Sequence, residues 1–179
     1  MAEAGHRVRG ASSGAGGFVK RRKPLLPVIG WREWVALPDL GTPAIKVKVD
    51  TGARSSALHA FNLHAFERDG RSMVRFEVHP YQRSATRTEP VELEAAGRRR
   101  VRNSGGFLEN RWTVFTRVSL AGQVWIIELT LTNRDAMGFR MLLGRQAIRG
   151  RFTVDPGRSF LHPGHKPEGE TSTRWKQSP

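Results

Sequence analysis

An all-β fold, a closed barrel in a single domain with one short helix, is what this sequence predicts, and three observations carry the prediction. Apolar and polar residues alternate in several short runs, the period of a strand with one buried face. Gly, Asp, Pro and Asn punctuate those runs as turn formers do. Only one piece, Arg145 to Arg149, reads as helix, and it follows a glycine directly. Many short strands with frequent turns escape the hazard of open edges by curling into a barrel.

The elements follow in chain order. Residues 1–24 mix Gly, Ser, Ala and Arg and end in Lys20-Arg21-Arg22-Lys23; they hold too little apolar content to offset the entropy of ordering, so a disordered basic arm is expected. The domain then runs over residues 25–162. Ile45-Lys46-Val47-Lys48-Val49 alternates strictly, with the branched residues on one face and the lysines on the other. Met73 to Val78 alternates in the same way and turns Val74, Phe76 and Val78 to one side. Trp112 to Leu120 and Val124 to Leu131 are two further β-rich runs, joined at Ala121-Gly122-Gln123 as a hairpin. Phe152-Thr153-Val154 makes a last short strand before Asp155-Pro156-Gly157. Residues 163–179 read as a loose C-terminal tail. No internal repeat is visible.

Composition removes several classes of function. The chain of 179 residues has no cysteine, which excludes disulfide frameworks, thiolate metal sites and cysteine nucleophiles. Ser55, Ser56 and Ser104 lack the Gly-x-Ser-x-Gly setting of a serine nucleophile. The apolar stretch Pro24 to Gly30 is short and broken by proline, and nothing reaches the length of a membrane span, so a cytoplasmic protein with no membrane partner is expected. The formal net charge is +14, of which residues 1–24 carry +5, residues 157–179 carry +2 and the body +7. A domain so charged attracts polyanions. Nucleic acid, an acidic polypeptide and plain solubility all fit that charge.

The informative feature is an apolar strand running straight into Asp50-Thr51-Gly52-Ala53. Each residue type there has work to do in aspartic proteolysis. Two facing aspartates share one proton, because adjacent charges cannot both ionise comfortably. One activates a water while the other protonates the carbonyl or the leaving amine. The Thr51 hydroxyl is suited to bonding between two such loops, and Gly52 lets backbone amides approach the carboxylate. Far downstream, Met141-Leu142-Leu143-Gly144-Arg145 supplies a hydrophobic-hydrophobic-glycine element of the kind that passes beside such loops.

Several stretches together resemble the bacterial family labelled ATP-dependent zinc proteases, also described as retropepsin-like and linked to RimK-type glutamate ligases. They are Ile29 to Pro38, Lys48 to Leu58, Val101 to Gly106, Thr130 to Asp135 and Met141 to Ala147. The resemblance implies a retropepsin-like (acid protease) barrel with Asp50, Thr51 and Gly52 as catalytic residues. It implies hydrolysis of peptide bonds in acidic or glutamate-tailed protein substrates, a ribosomal protein among them. Gln146 departs from the viral retropepsins, in which Asp or Asn is common at that place.

One Asp-Thr-Gly without a repeat is half of such a site, so a two-fold homodimer is expected. Asn103-Ser104-Gly105-Gly106 has the composition of a flap at a hairpin tip, within residues 98–112. Ala53, Arg54, Arg102, Asn103, Ser104 and Gly105 are the candidate substrate-binding residues, the arginines as partners for substrate carboxylates. The zinc and ATP of the family label have no counterpart in the residues. There is no His-Glu-x-x-His and no phosphate-binding Gly-x-x-x-x-Gly-Lys-Ser/Thr, and the six histidines lack zinc-site spacing. No metal and no cofactor is therefore expected. The rival reading is a non-catalytic basic β-barrel that binds RNA, ribosomal components or glutamate tails, using Trp31, Trp34, Trp112 and Trp125 as stacking platforms.

Overall fold

A computed structural model describes residues 25–79, 89–102, 106–133 and 138–165. Within them the chain is almost wholly β. The strands are β1 (Val28–Gly30), β2 (Arg32–Leu37), β3 (Thr42–Asp50), β4 (Ser56–His59), β5 (Phe61–Arg68), β6 (Arg71–Val78), β7 (Glu89–Arg102), β8 (Leu108–Leu120), β9 (Gln123–Thr132), β10 (Met141–Gly144) and β11 (Thr153–Asp155). The single α-helix, α1, is Arg145–Ile148, where it was expected.

Local chemistry sets these elements. Strand β3 buries Ile45, Val47 and Val49 while Lys48 stays exposed, so the alternation in the sequence is the alternation in the sheet. Strand β6 likewise buries Val74, Phe76 and Val78. Strands β8 and β9 meet in a two-residue turn, with Leu120 opposite Gln123 and positive φ at both Ala121 and Gly122. That turn hand matches the twist of the strands it joins. Asp69 and Gly70 do the same between β5 and β6.

Nine strands form one sheet in the order β2-β3-β10-β4-β9-β8-β7-β6-β5, and β1 pairs with β11 in a separate parallel ribbon. The sheet curls until β2 meets β8, but through the single residue pair Ala36 and Ser119. The expected all-β single domain with one short helix is what the described residues form, and β7, β6 and β5 run on as a wing beyond the point of contact. Inside the curl lies one core that includes Val35, Val47, Leu58, Val114, Leu129, Met141 and Leu143. Trp34 and Trp125 are buried and Trp112 packs against the core, which employs those tryptophans in packing. No described helix is long and apolar enough to cross a membrane. The basic arm, the C-terminal tail beyond residue 165 and the flap residues Asn103, Ser104 and Gly105 lie outside the described residues.

Candidate active site

The site is built where three separate pieces of chain converge. Strand β3 delivers Asp50 at its last position. Strand β10 runs parallel beside it, with Leu143 opposite Val49 and Gly144 opposite Asp50. Strand β4 leaves the loop antiparallel to β10 and parallel to β9. The loop of residues 51–55 is thus enclosed by ladders that hold its two ends in fixed register.

Gly144 explains why the third piece must be there. A side chain on it would lie 2.4 Å from the carbonyl carbon and oxygen of Ser55, far inside contact distance. Its N–H donates to Ser56 Oγ at 3.1 Å. The next two amides continue the clasp: Arg145 N–H donates to Ala53 O at 2.8 Å and Gln146 N–H to Arg54 O at 3.0 Å. The Arg145 guanidinium reaches Thr51 O at 2.9 Å from Nη1. From β9, Thr130 Oγ1 donates to Ser56 O at 2.9 Å. Loop carbonyls that would otherwise be orphaned are met by the unpaired donors of the helix start.

Held this way, Asp50 bends back on its own loop. Its Oδ1 accepts the N–H of Gly52 at 3.1 Å and of Ala53 at 3.0 Å. Among the described residues Oδ2 has no hydrogen-bond partner. One carboxylate oxygen is anchored and the other is available to a proton, a water or a second carboxylate. Thr51 and Gly52 beside it are exposed.

A cleft of about 490 Å³ opens on this carboxylate. Its walls bring together Asp50, Ala53 and Arg54 from the loop, Arg99 to Arg102 from β7, Arg111 from β8, Glu128 and Thr130 from β9, and Leu142 from β10. The predicted residues Ala53, Arg54 and Arg102 therefore share one cavity with Asp50. Strands β7 and β8 pair out to Arg102 opposite Leu108, so the described ends of the expected flap segment, residues 98–102 and 108–112, are paired strands. Arg99 is held by Glu128 through two bonds, Nε to Oε1 at 3.2 Å and Nη2 to Oε2 at 2.8 Å. Hydrogen bonding to that carboxylate raises the pKa of Arg99 further. Arg54, Arg100 and Arg102 have no carboxylate partner among the described residues.

Leu142 and Arg145 belong to the element that the sequence places beside such a loop, and they are found there. Sequence reading did not single out Arg111, Glu128 or Thr130 for the site; they stand on β8 and β9, and only the strand pairings bring them to the cleft. Among the described residues no group of three His, Asp or Glu is arranged to hold a metal ion.

A strand-end Asp-Thr-Gly loop, locked against a Leu-Leu-Gly strand in an all-β domain, defines a retropepsin-like protein. The chain belongs to the RimB-like family, whose model, described as retropepsin-like aspartic endopeptidase RimB, matches residues 28–165. That description contains neither zinc nor ATP. Curated relatives bear another name. A protein of Shewanella halifaxensis (strain HAW-EB4), named "Probable alpha-L-glutamate ligase", is 47% identical over 133 residues, 74% of this chain and 29% of its own length. A protein of the same name from Parasynechococcus marenigrum (strain WH8102) is 51% identical over 132 residues, 72% of this chain and 28% of its own. The matched region is thus less than a third of those proteins. Among solved structures, Lpg0085 of Legionella pneumophila, a protein of unknown function, is similar with a TM-score of 0.64 and 31% identity, covering 75% of this chain and 97% of that one.

Proposed function

We propose that this chain is an aspartic-type endopeptidase, active as a cytoplasmic two-fold homodimer, that cuts peptide bonds in acidic or glutamate-tailed proteins without metal or cofactor. The observation that carries the reading is Asp50 at the mouth of the cleft, anchored through Oδ1 and open at Oδ2. In the dimer the Asp50 side chains of the two protomers meet across the axis and share a proton. The unprotonated oxygen takes a proton from the attacking water, and the protonated partner gives one to the substrate carbonyl. Thr51 stands exposed beside a hollow lined by Arg145, Ile148, Arg149, Phe152 and Val154, the face on which a second protomer would seat.

The choice of substrate rests on the cleft walls. Arg54, Arg100 and Arg102 face it with no described counter-ion, and a row of unneutralised guanidinium groups favours carboxylates in bidentate contact. The glutamate ligase name of the longer relatives agrees with a glutamate-bearing substrate. The same name favours a second reading, a non-catalytic module that holds glutamate tails for a ligase.

One experiment separates them. A glutamate-tailed peptide is incubated with the wild type and with Asp50→Asn, with and without EDTA, and followed by mass spectrometry. Cleavage by the wild type alone, indifferent to EDTA, is the expected result. Cleavage that survives the substitution, or that EDTA abolishes, overturns the aspartic mechanism. Binding without cleavage by either protein favours the holding module. Sedimentation that finds only active monomers removes the dimer.

A further inference from the structure

The cleft continues, on the same face of the sheet, into a strip of exposed apolar side chains. Along β9, Thr130 and Glu128 line the cleft. Alternation puts Ile126 and Val124 on that same side, roughly 7 and 13 Å further along the strand from Glu128. On β8 the residue opposite Glu128 is Phe115. Phe115, Val124 and Ile126 are 59%, 59% and 68% exposed, while Val118, Trp125 and Ile127 on the other face are buried in the core.

A single exposed Ile or Phe on a sheet is ordinary, but three in adjacent register make a patch. Phe115 and Ile126 are diagonal neighbours, because Ile126 lies opposite Arg117. Phe115 also walls a hollow of about 490 Å³ with Leu93, Glu94, Ala95 and Ala96. Strand β7 bulges there, between Ala95 and Gly97. The cations beside the patch are already paired within the protein. Arg117 Nε donates to Asp39 Oδ1 at 2.8 Å, and Arg99 reaches across β8 to Glu128. Arg54, Arg100 and Arg102 of the cleft have no such carboxylate among the described residues. One face thus offers uncancelled positive charge at one end and neutral, apolar surface at the other.

We propose that Phe115, Val124 and Ile126 form an exosite for the substrate itself. While an acidic segment lies in the cleft, bulky apolar residues of the same polypeptide settle on the strip and toward the hollow. The inference rests on the reading of the cleft as the binding place of acidic peptides, and it adds a second requirement to that substrate class, an apolar segment beside the acidic one. An extended peptide advances about 3.3 Å per residue, so two to four residues span the step from Glu128 to Ile126 and Val124. The two parts answer differently to salt: attraction by exposed arginines is screened, and burial of apolar surface is not.

The test uses the full chain carrying Asp50→Asn, so that peptide binds and is not consumed, in calorimetric titrations. The probes are hexaglutamate, hexaglutamate extended through two glycines by three leucines, at either end, and the same extensions with serines. The leucine extension at one end tightens binding by about tenfold over the serine control, the effect of removing a few tens of Å² of apolar surface from water. Val124→Thr with Ile126→Thr, exposed positions at which threonine keeps the strand, abolishes that gain and leaves hexaglutamate itself unchanged. Leucine extensions that add nothing at either end, or a gain that survives the double substitution, overturn the exosite and leave the acidic-peptide reading standing. If the double substitution instead lowers the oligomeric state in sedimentation, the strip belongs to a second copy of the chain and the exosite is overturned. A parent that does not bind hexaglutamate overturns the acidic-peptide reading, and the exosite with it.

Discussion

Glu33 near the start of β2 and Asp50 at the end of β3 carry the same chemical group at one end of an antiparallel strand pair, and they are used in opposite ways. Glu33 is fully buried, and its carboxylate is spent on the backbone: Oε1 accepts Gly30 N–H at 2.7 Å and Leu161 N–H at 3.0 Å, and Oε2 accepts His162 N–H at 3.2 Å. It ties the start of the domain to its last described segment. Asp50 is half-exposed and spends one oxygen, on its own loop. The number of lone pairs already satisfied separates a carboxylate that holds structure from one that is free to handle protons.

That contrast predicts opposite responses to similar substitutions. The largest effect belongs to Asp50→Asn, in which the side-chain oxygen can still accept both loop amides. Peptide hydrolysis should fall by roughly 10²–10⁴-fold, the contribution of a general acid–base group, while the urea midpoint stays close to wild type. An equal loss of activity and of stability would erase the distinction. Glu33→Ala should do the reverse: one buried and two part-buried amides lose their acceptor, and about 3 kcal/mol of stability goes with them, read by denaturant unfolding, with activity per folded molecule retained.

Gly144→Ala sharpens the comparison at the brace. The added methyl meets the Ser55 carbonyl at 2.4 Å, so the loop must move. A cost of about 1–3 kcal/mol is expected, accompanied by a loss of activity larger than that stability change alone explains. Asp39 supplies a third carboxylate and the smallest effect. Both its oxygens are bonded by Arg117, from the side chain and from the backbone N–H at 2.7 Å, and these bonds hold its pKa below the ordinary carboxylate value. Because the unfolded chain takes up that proton first, the contribution is present in full above about pH 4 and is lost as pH falls through the depressed value. The difference in urea midpoint between wild type and Asp39→Asn should therefore shrink as pH drops below about 4.

The legible part of the sequence was the part written locally. Strands β3 and β6, the β8–β9 hairpin and α1 announce themselves by period or by a turn residue, and the loop after β3 by its Asp-Thr-Gly. Strand β5 could not be read in this way: Phe61 to Arg68 is largely exposed on the sheet's edge and shows no buried alternation. Strand β7 hides behind Arg98-Arg99-Arg100, which reads as a charge run until its opposite neighbours on β8 are known. Strand β10 has four residues, too few to show a period. Arg111 could not be assigned to the cleft from spacing, because its burial opposite Arg99 is a property of the assembled sheet.

The parallel pairing of β3 with β10 has a consequence in time. The clasp on the loop joins residues that stand 94 apart in the case of Arg145 and Thr51, and 88 apart in the case of Gly144 and Ser56. Contacts of such long range are made late, after the entropy of closing a large loop has been met. During synthesis Asp50 leaves the ribosome well before Met141 to Ile148, and until they follow its loop lacks the bonds from Gly144, Arg145 and Gln146. The clasped geometry of the loop is thus completed late in folding.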